Sequence, residues 1–173
     1  MNLTAEQIAV ALEAEIVAEG RPGSPRRATI DSAASGPGDL FFGLRGESRD
    51  GGEFGSAAIA AGAWGVVASR THAVALDGAW VFATPDPLAA LQGLARAWRR
   101  ALGARVVGVT GSVGKTSVKD IARALLPGRV HANRENLNTE IGLPLTVLEA
   151  PDDAETLVLE MAMRGSGQIA ELG

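Results

Sequence analysis

The chain has 173 residues, 46% hydrophobic and 21% charged, with a mean hydropathy of +0.13, as expected of a globular chain with one good core or two small ones. Its formal charge of −4 argues against a general nucleic-acid binder, which needs a basic footprint, and the absence of cysteine excludes disulfides and thiolate metal sites. No stretch approaches the roughly 20 apolar residues of a membrane span, and the start, MNLTAEQIAV, lacks the basic and apolar regions of a signal peptide, so the expectation is a cytoplasmic protein.

Thr4-Ala-Glu-Gln7 has the form of a capping box and opens a short helix with Ile8 and Leu12 on one face. Periodicity leaves open whether that helix runs on to Glu19 or gives way to a strand at AEIVA. RPGSPRRA (21–28) reads as a loop, and ATID (28–31) and DLFFGL (39–44) as short strands joined by the Gly-Pro-Gly turn at 36–38. FGSAAIAAGA (54–63) predicts an alanine-rich helix, and WGVVAS (64–69) and WVFAT (80–84) predict buried strands. The expectation for residues 1–84 is a small mixed α/β domain.

Pro85-Asp-Pro87 marks a boundary, after which 87–102 predicts a helix with Leu88, Leu91, Leu94, Ala95 and Trp98 on one stripe. From Arg105 the rhythm becomes βαβ: strand 105–110, helix 115–126, a short strand near 129–132, helix 141–148 and strand 156–163. Pro144 suits the first turn of its helix, where its missing N–H costs little. Residues 85–173 are therefore expected to build a parallel sheet flanked by helices.

The stretch VVGVTGSVGKTSVKD (106–120) runs from strand through a glycine turn into helix. Gly111 and Gly114 let backbone N–H groups converge on phosphate oxygens, and the helix adds its positive end. Thr110, Gly111, Ser112, Val113, Gly114, Lys115, Thr116 and Ser117 are the candidate nucleotide-binding residues. Lys115 would reach the β- and γ-phosphates and the Thr116 hydroxyl would sit on Mg²⁺. The pattern is the shortened G-x-x-G-K-T, and Lys115 is one of only two lysines in the chain, with Lys119.

Glu160 closes the apolar run LVLE, in the strand expected beside the glycine-loop strand. A carboxylate there could complete a Mg²⁺ shell opposite Thr116; a strand-end acid facing solvent is the alternative. The loop HANRENLNTEIGLP (131–144) holds three asparagines, which could cap the following helix or read a ligand. His72 and His131 show no ligand spacing and read as structural or exposed.

These motifs resemble those of the Mur ligase family. TGSVGKTSVKD (110–120) is similar to that family's nucleotide loop, Asn136-Leu-Asn138-Thr-Glu-Ile-Gly-Leu-Pro-Leu-Thr146 to an N-x-N-N-x-I-G-x-P-x-T block, and LEMAMRGSGQIAEL (159–172) to a later strand and helix start. TIDSAASGPGDLFFGLRGESRDGGEF (29–54) resembles its UDP-sugar domain, with D-S-R, P-G-D-L-F and D-G-H-x-F elements. The resemblance implies an ATP- and Mg²⁺-dependent ligase joining D-Ala-D-Ala to UDP-N-acetylmuramoyl-tripeptide through an acyl phosphate, in peptidoglycan precursor synthesis. It implies Lys115 and Glu160 as catalytic residues, Thr116 and Glu160 as metal ligands, and Asn136 and Asn138 lining the cleft. Ser32 and the turn holding Asp50, Gly51 and Phe54 would seat the UDP-muramoyl substrate. A sister ligase or a non-catalytic UDP-sugar-binding module is the alternative.

Three positions depart from the family pattern: Ala33 for the arginine of D-S-R, Gly52 for the histidine of D-G-H, and Thr139 for the second paired asparagine. The resemblance further implies a monomer, and a chain that stops inside the ATPase domain, a truncated part inactive on its own.

Overall fold

The computed structural model describes residues 1–134 and 137–162; Asn136 and the segment past Ala162, where the predicted strand ends and a helix was expected to start, lie outside the described residues. The chain divides into two compact units, Met1–Leu94 and Ala95–Gly173.

In the first unit, Thr4 and Gln7 form the reciprocal cap of α1 (Ala5–Leu12), which buries Ile8 and Leu12. The helix stops at Glu13, whose φ of 50° is left-handed, and the chain re-enters as β1 (Glu15–Ala18). The open question at AEIVA is thus settled as strand. There follow β2 (Arg27–Thr29), β3 (Asp39–Phe42), a 3-10 turn (Gly51–Phe54) leading into α2 (Gly55–Ala60), β4 (Gly65–Ser69), α3 (Arg70–Ala73) and β5 (Trp80–Thr84). The sheet order is β1-β5-β4-β3-β2, parallel throughout except for β1, which runs antiparallel to β5. Phe41, Phe42, Val66, Val67, Val81 and Phe82 are fully buried. Strands covered on both faces read as continuous apolar runs rather than alternating ones, which is why DLFF and GVVA were legible. The helix expected at 54–63 is shorter, because Gly51–Phe54 winds as a 3-10 turn first and Gly62 carries a φ of 94°.

Helix α4 (Pro87–Leu102) is capped by Asp86, whose Oδ1 accepts from the N–H groups of Leu88 and Ala89 at 2.9 and 3.1 Å. Leu91, Leu94, Ala95 and Trp98 are buried as the stripe predicts, while Leu88 is half-buried.

The second unit continues as β6 (Arg105–Val109), α5 (Lys115–Leu125), β7 (Val130–Ala132), α6 (Gly142–Glu149) and β8 (Thr156–Glu160). Its strands form a parallel sheet in the order β6-β8-β7. The central strand β8 is buried at every position, and its register sets Glu160 opposite Val109, the last residue before the glycine loop. Among the described residues, no helix is long and apolar enough to cross a membrane.

Candidate functional site

The glycine loop connects the C-terminal end of β6 to α5. Gly111 and Gly114 have φ of 145° and 79°, and Gly114 takes the left-handed conformation at the helix N-cap, where a side chain would be strained. Ser112, Val113 and Gly114 are exposed, so the loop presents its backbone to solvent at the positive end of an eleven-residue helix. Lys115 Nζ turns back over the loop and donates to the Gly111 carbonyl at 2.8 Å.

Thr116 is one residue further along α5, and its hydroxyl donates to Glu160 Oε2 at 2.9 Å. The structure therefore brings together the two residues singled out for Mg²⁺. Glu160 is only 7% exposed and does not face solvent. A hydroxyl and a carboxylate side by side beneath a phosphate-type loop are the hard oxygen donors that Mg²⁺ takes, so the residues fit that ion. Asn138 Nδ2 donates to the other carboxylate oxygen, Glu160 Oε1, at 3.4 Å.

Two further residues belong to this cluster that the sequence alone did not assign to a site. Lys119, 4% exposed, donates to the Asn133 carbonyl at 3.1 Å and lies 3.8 Å from Glu160 Oε2. Asn133, 3% exposed, holds Glu160 by its backbone. The scarcity of lysine and the three-residue step from Thr116 were available signals for Lys119. Nothing in the sequence separates Asn133 from its neighbours, because its role depends on where β7 ends. The asparagine loop divides its labour: Asn133 and Asn138 serve Glu160, while Thr139 Oγ1 accepts the Gly142 N–H ahead of α6.

In the first unit the structure places Ser32 in the turn after β2 and Asp50 and Gly51 in the loop after β3. Because β2, β3 and β4 are parallel, these loops share the C-terminal edge of the sheet, where open α/β sheets bind ligands. Asp50 Oδ1 caps the 3-10 turn through the Gly52 N–H at 2.9 Å, and the Gly51 N–H donates to the Leu44 carbonyl at 2.8 Å. Phe54 is half-buried and packs against the core cluster of Phe41, Ala58 and Val66. His72, on α3 after β4, brings Nε2 to 3.6 Å from Asp50 Oδ2, so it stands at this edge too.

Two family models match the chain: the Mur ligase family catalytic domain over residues 27–125 and the Mur ligase middle domain over residues 109–173. The UDP-N-acetylmuramoyl-tripeptide–D-alanyl-D-alanine ligase of a Synechocystis species is 47% identical over 137 residues, covering 78% of this chain. The match spans 30% of that relative's length. A MurF crystal structure from Acinetobacter baumannii superposes with a TM-score of 0.87 at 25% identity, covering 99% of this chain and 38% of the other. A MurF ligase from Thermotoga maritima, solved in complex with ADP, gives a TM-score of 0.75 at 37% identity over 85% of this chain and 34% of its own.

Proposed function

The chain belongs to the Mur ligase family, and we propose that it supplies the substrate-seating and nucleotide-loop part of an ATP-dependent ligase that joins D-Ala-D-Ala to UDP-N-acetylmuramoyl-tripeptide. The observation that carries this reading is the Thr116–Glu160 pair, 2.9 Å apart at the foot of a glycine loop on a parallel sheet. The relatives that bear this activity in their names support it, as does the ADP bound in a structural neighbour.

In this reading residues 1–84 seat the UDP-muramoyl substrate through Ser32, Asp50, Gly51 and Phe54, and residues 85–173 form the first part of the ATP-binding domain. Lys115 and the loop N–H groups bind the nucleotide's phosphates. Thr116 and Glu160 would hold Mg²⁺, which neutralises charge on the phosphoryl group in flight. The γ-phosphoryl group passes from ATP to the substrate's terminal carboxylate, leaving ADP and an acyl phosphate. The dipeptide's amine then attacks the acyl carbon, inorganic phosphate departs, and the nitrogen sheds its proton. Asn138, which donates to Glu160 Oε1, would stand beside the reacting groups, and a cytoplasmic setting supplies the nucleotide substrates.

Calorimetric titration of the folded chain tests the reading. Saturable binding of ADP with Mg²⁺ is expected, as is binding of UDP-N-acetylmuramoyl-tripeptide that UDP-N-acetylglucosamine does not match. Binding of neither would overturn it, and binding of the tripeptide alone would leave a UDP-sugar-binding module without a nucleotide site.

A further inference from the structure

Glu160 is held at its backbone as well as by its carboxylate. Asn133 Oδ1 accepts the Glu160 N–H at 2.8 Å, and Asn133 Nδ2 donates to the Glu160 carbonyl at 3.0 Å and to the Leu137 carbonyl at 3.0 Å. The amide thus makes the donor and acceptor pair that a neighbouring strand would otherwise offer. The strand register explains why it must. The β7–β8 ladder pairs Val130, His131 and Ala132 with Thr156, Leu157 and Val158 and goes no further, so the last two residues of β8 have no β7 rung. Asn133, the first residue past β7, extends the ladder with its side chain and reaches Glu160.

The brace is tied to the nucleotide helix. Lys119 Nζ, buried on α5, donates to the Asn133 carbonyl at 3.1 Å, and Thr116 on the same helix donates to Glu160 Oε2 at 2.9 Å. Asn133 also fixes Leu137, whose neighbour Asn138 donates to Glu160 Oε1. Both carboxylate oxygens therefore take their direction from elements that converge on one buried asparagine: α5 through its backbone carbonyl, and Leu137 and Glu160 through its side-chain amide. A buried amide with its acceptor and donor both engaged is rigid, because any rotation leaves polar groups unpaired away from water.

We infer that Asn133 is a positioning residue acting through Glu160: it sets the carboxylate toward Thr116 and thereby determines how strongly the site holds a divalent cation with nucleotide. The inference rests on the nucleotide-site reading proposed above. It goes beyond it in giving a role to a residue that touches neither nucleotide nor metal. Outer partners of metal ligands commonly govern affinity in this way.

The experiment is ADP titration of the 173-residue chain in EDTA and in saturating Mg²⁺, for the unaltered chain, Asn133→Ala, Glu160→Gln and the double variant. Asn133→Ala is expected to keep its metal-free ADP affinity, which depends on Lys115 and the loop backbone, and to lose about 10-fold or more of the Mg²⁺ enhancement. Glu160→Gln should lose the same enhancement, with no further loss in the double variant. Should Asn133→Ala fail to fold by circular dichroism, Asn133→Asp keeps the shape and the acceptor for the Glu160 N–H. It sets an oxygen against two carbonyls, and is expected to lower the enhancement selectively as well. Equal weakening with and without Mg²⁺, or an intact enhancement, would overturn the inference and leave the nucleotide site standing. Absence of any Mg²⁺-dependent ADP binding in the unaltered chain would overturn both.

Discussion

The imidazole of His72 stands where a side chain at position 52 would stand. A Cβ built on Gly52 would lie 2.7 Å from His72 Cδ2 and 2.9 Å from its Cβ and Cγ. At this edge of the sheet the chain thus has an imidazole delivered from α3 and a glycine beneath it.

That exclusion predicts strong coupling between the two positions. Because His72 Cβ is fixed to the backbone, the ring cannot swing clear of an added methyl. Gly52→Ala is expected to destabilise the first unit by about 1–3 kcal/mol, the usual cost of overpacking. Combined with His72→Gly, which empties the space, the same change should cost much less. Urea unfolding of the two single variants and the double variant measures the coupling, and additive effects would sink the idea.

Lys115 predicts the next result. Its ammonium reaches the loop from the first turn of α5 and contacts the Gly111 carbonyl, so a phosphate at the loop is within its range. Lys115→Met keeps the stem and removes the charge. Losing a charged hydrogen bond costs about 1.5–3 kcal/mol, or roughly 10- to 100-fold in ADP affinity. Stability should barely change, since Lys115 is not buried. Unaltered ADP affinity would remove Lys115 from the site.

The parts of this molecule that could be read from sequence are those whose pattern is local. The capping box at Thr4 and Gln7, the buried runs of β3 and β4 and the strand–loop–helix order around Lys115 each follow from spacing alone. What could not be read depends on partners distant in the chain. β1 has four residues and is defined by its antiparallel pairing to the distant β5, Glu15 opposite Ala83 and Ala18 opposite Val81. α3 has a single turn, too short to show a period. Glu160 was legible as a strand-end acid, but the amide that holds it was not, because the end of the β7 ladder is a property of register. His72 reads from sequence only as structural or exposed for the same reason: its neighbour Asp50 lies on a different loop, brought close only by parallel β3 and β4.

Asp39 predicts an acid limit for the first unit. Burial alone would raise its pKa, but the guanidinium groups of Arg27 and Arg26 and the Gly36 N–H outweigh that and hold the carboxyl below its ordinary value. A depressed carboxyl pKa means that the unfolded chain takes up the proton first as pH falls. The stability it contributes is therefore present above about pH 4, the unfolded value, and lost as pH falls through the lower, folded one. Asp39→Asn should lower stability at neutral pH by about 1–3 kcal/mol and flatten the acid limb of a denaturation-versus-pH curve. A limb as steep as that of the unaltered chain would assign it to other groups.

His131 predicts a second, separate pH dependence, in the other unit. Burial holds its pKa below the ordinary value, aided by Arg123 and Arg134, while the Thr146 carbonyl and Glu149 pull the other way without prevailing. Its Nε2 lies 2.9 Å from the Thr146 carbonyl oxygen, which can only accept, so the neutral ring carries its proton on Nε2. Because the folded pKa is depressed, the unfolded state protonates first as pH falls. The stabilisation is full above about pH 6.5 and declines as pH drops through the folded value. That window opens at about pH 6.5, above the pH of about 4 at which the one set by Asp39 opens, so the onsets of the two can be separated in a single pH series. His131→Gln retains an N–H for Thr146 and cannot titrate. It is expected to abolish the loss of thermal stability over the interval that opens below about pH 6.5, while leaving the Asp39 limb in place. If the variant loses stability over that interval as the unaltered chain does, His131 is not the group responsible.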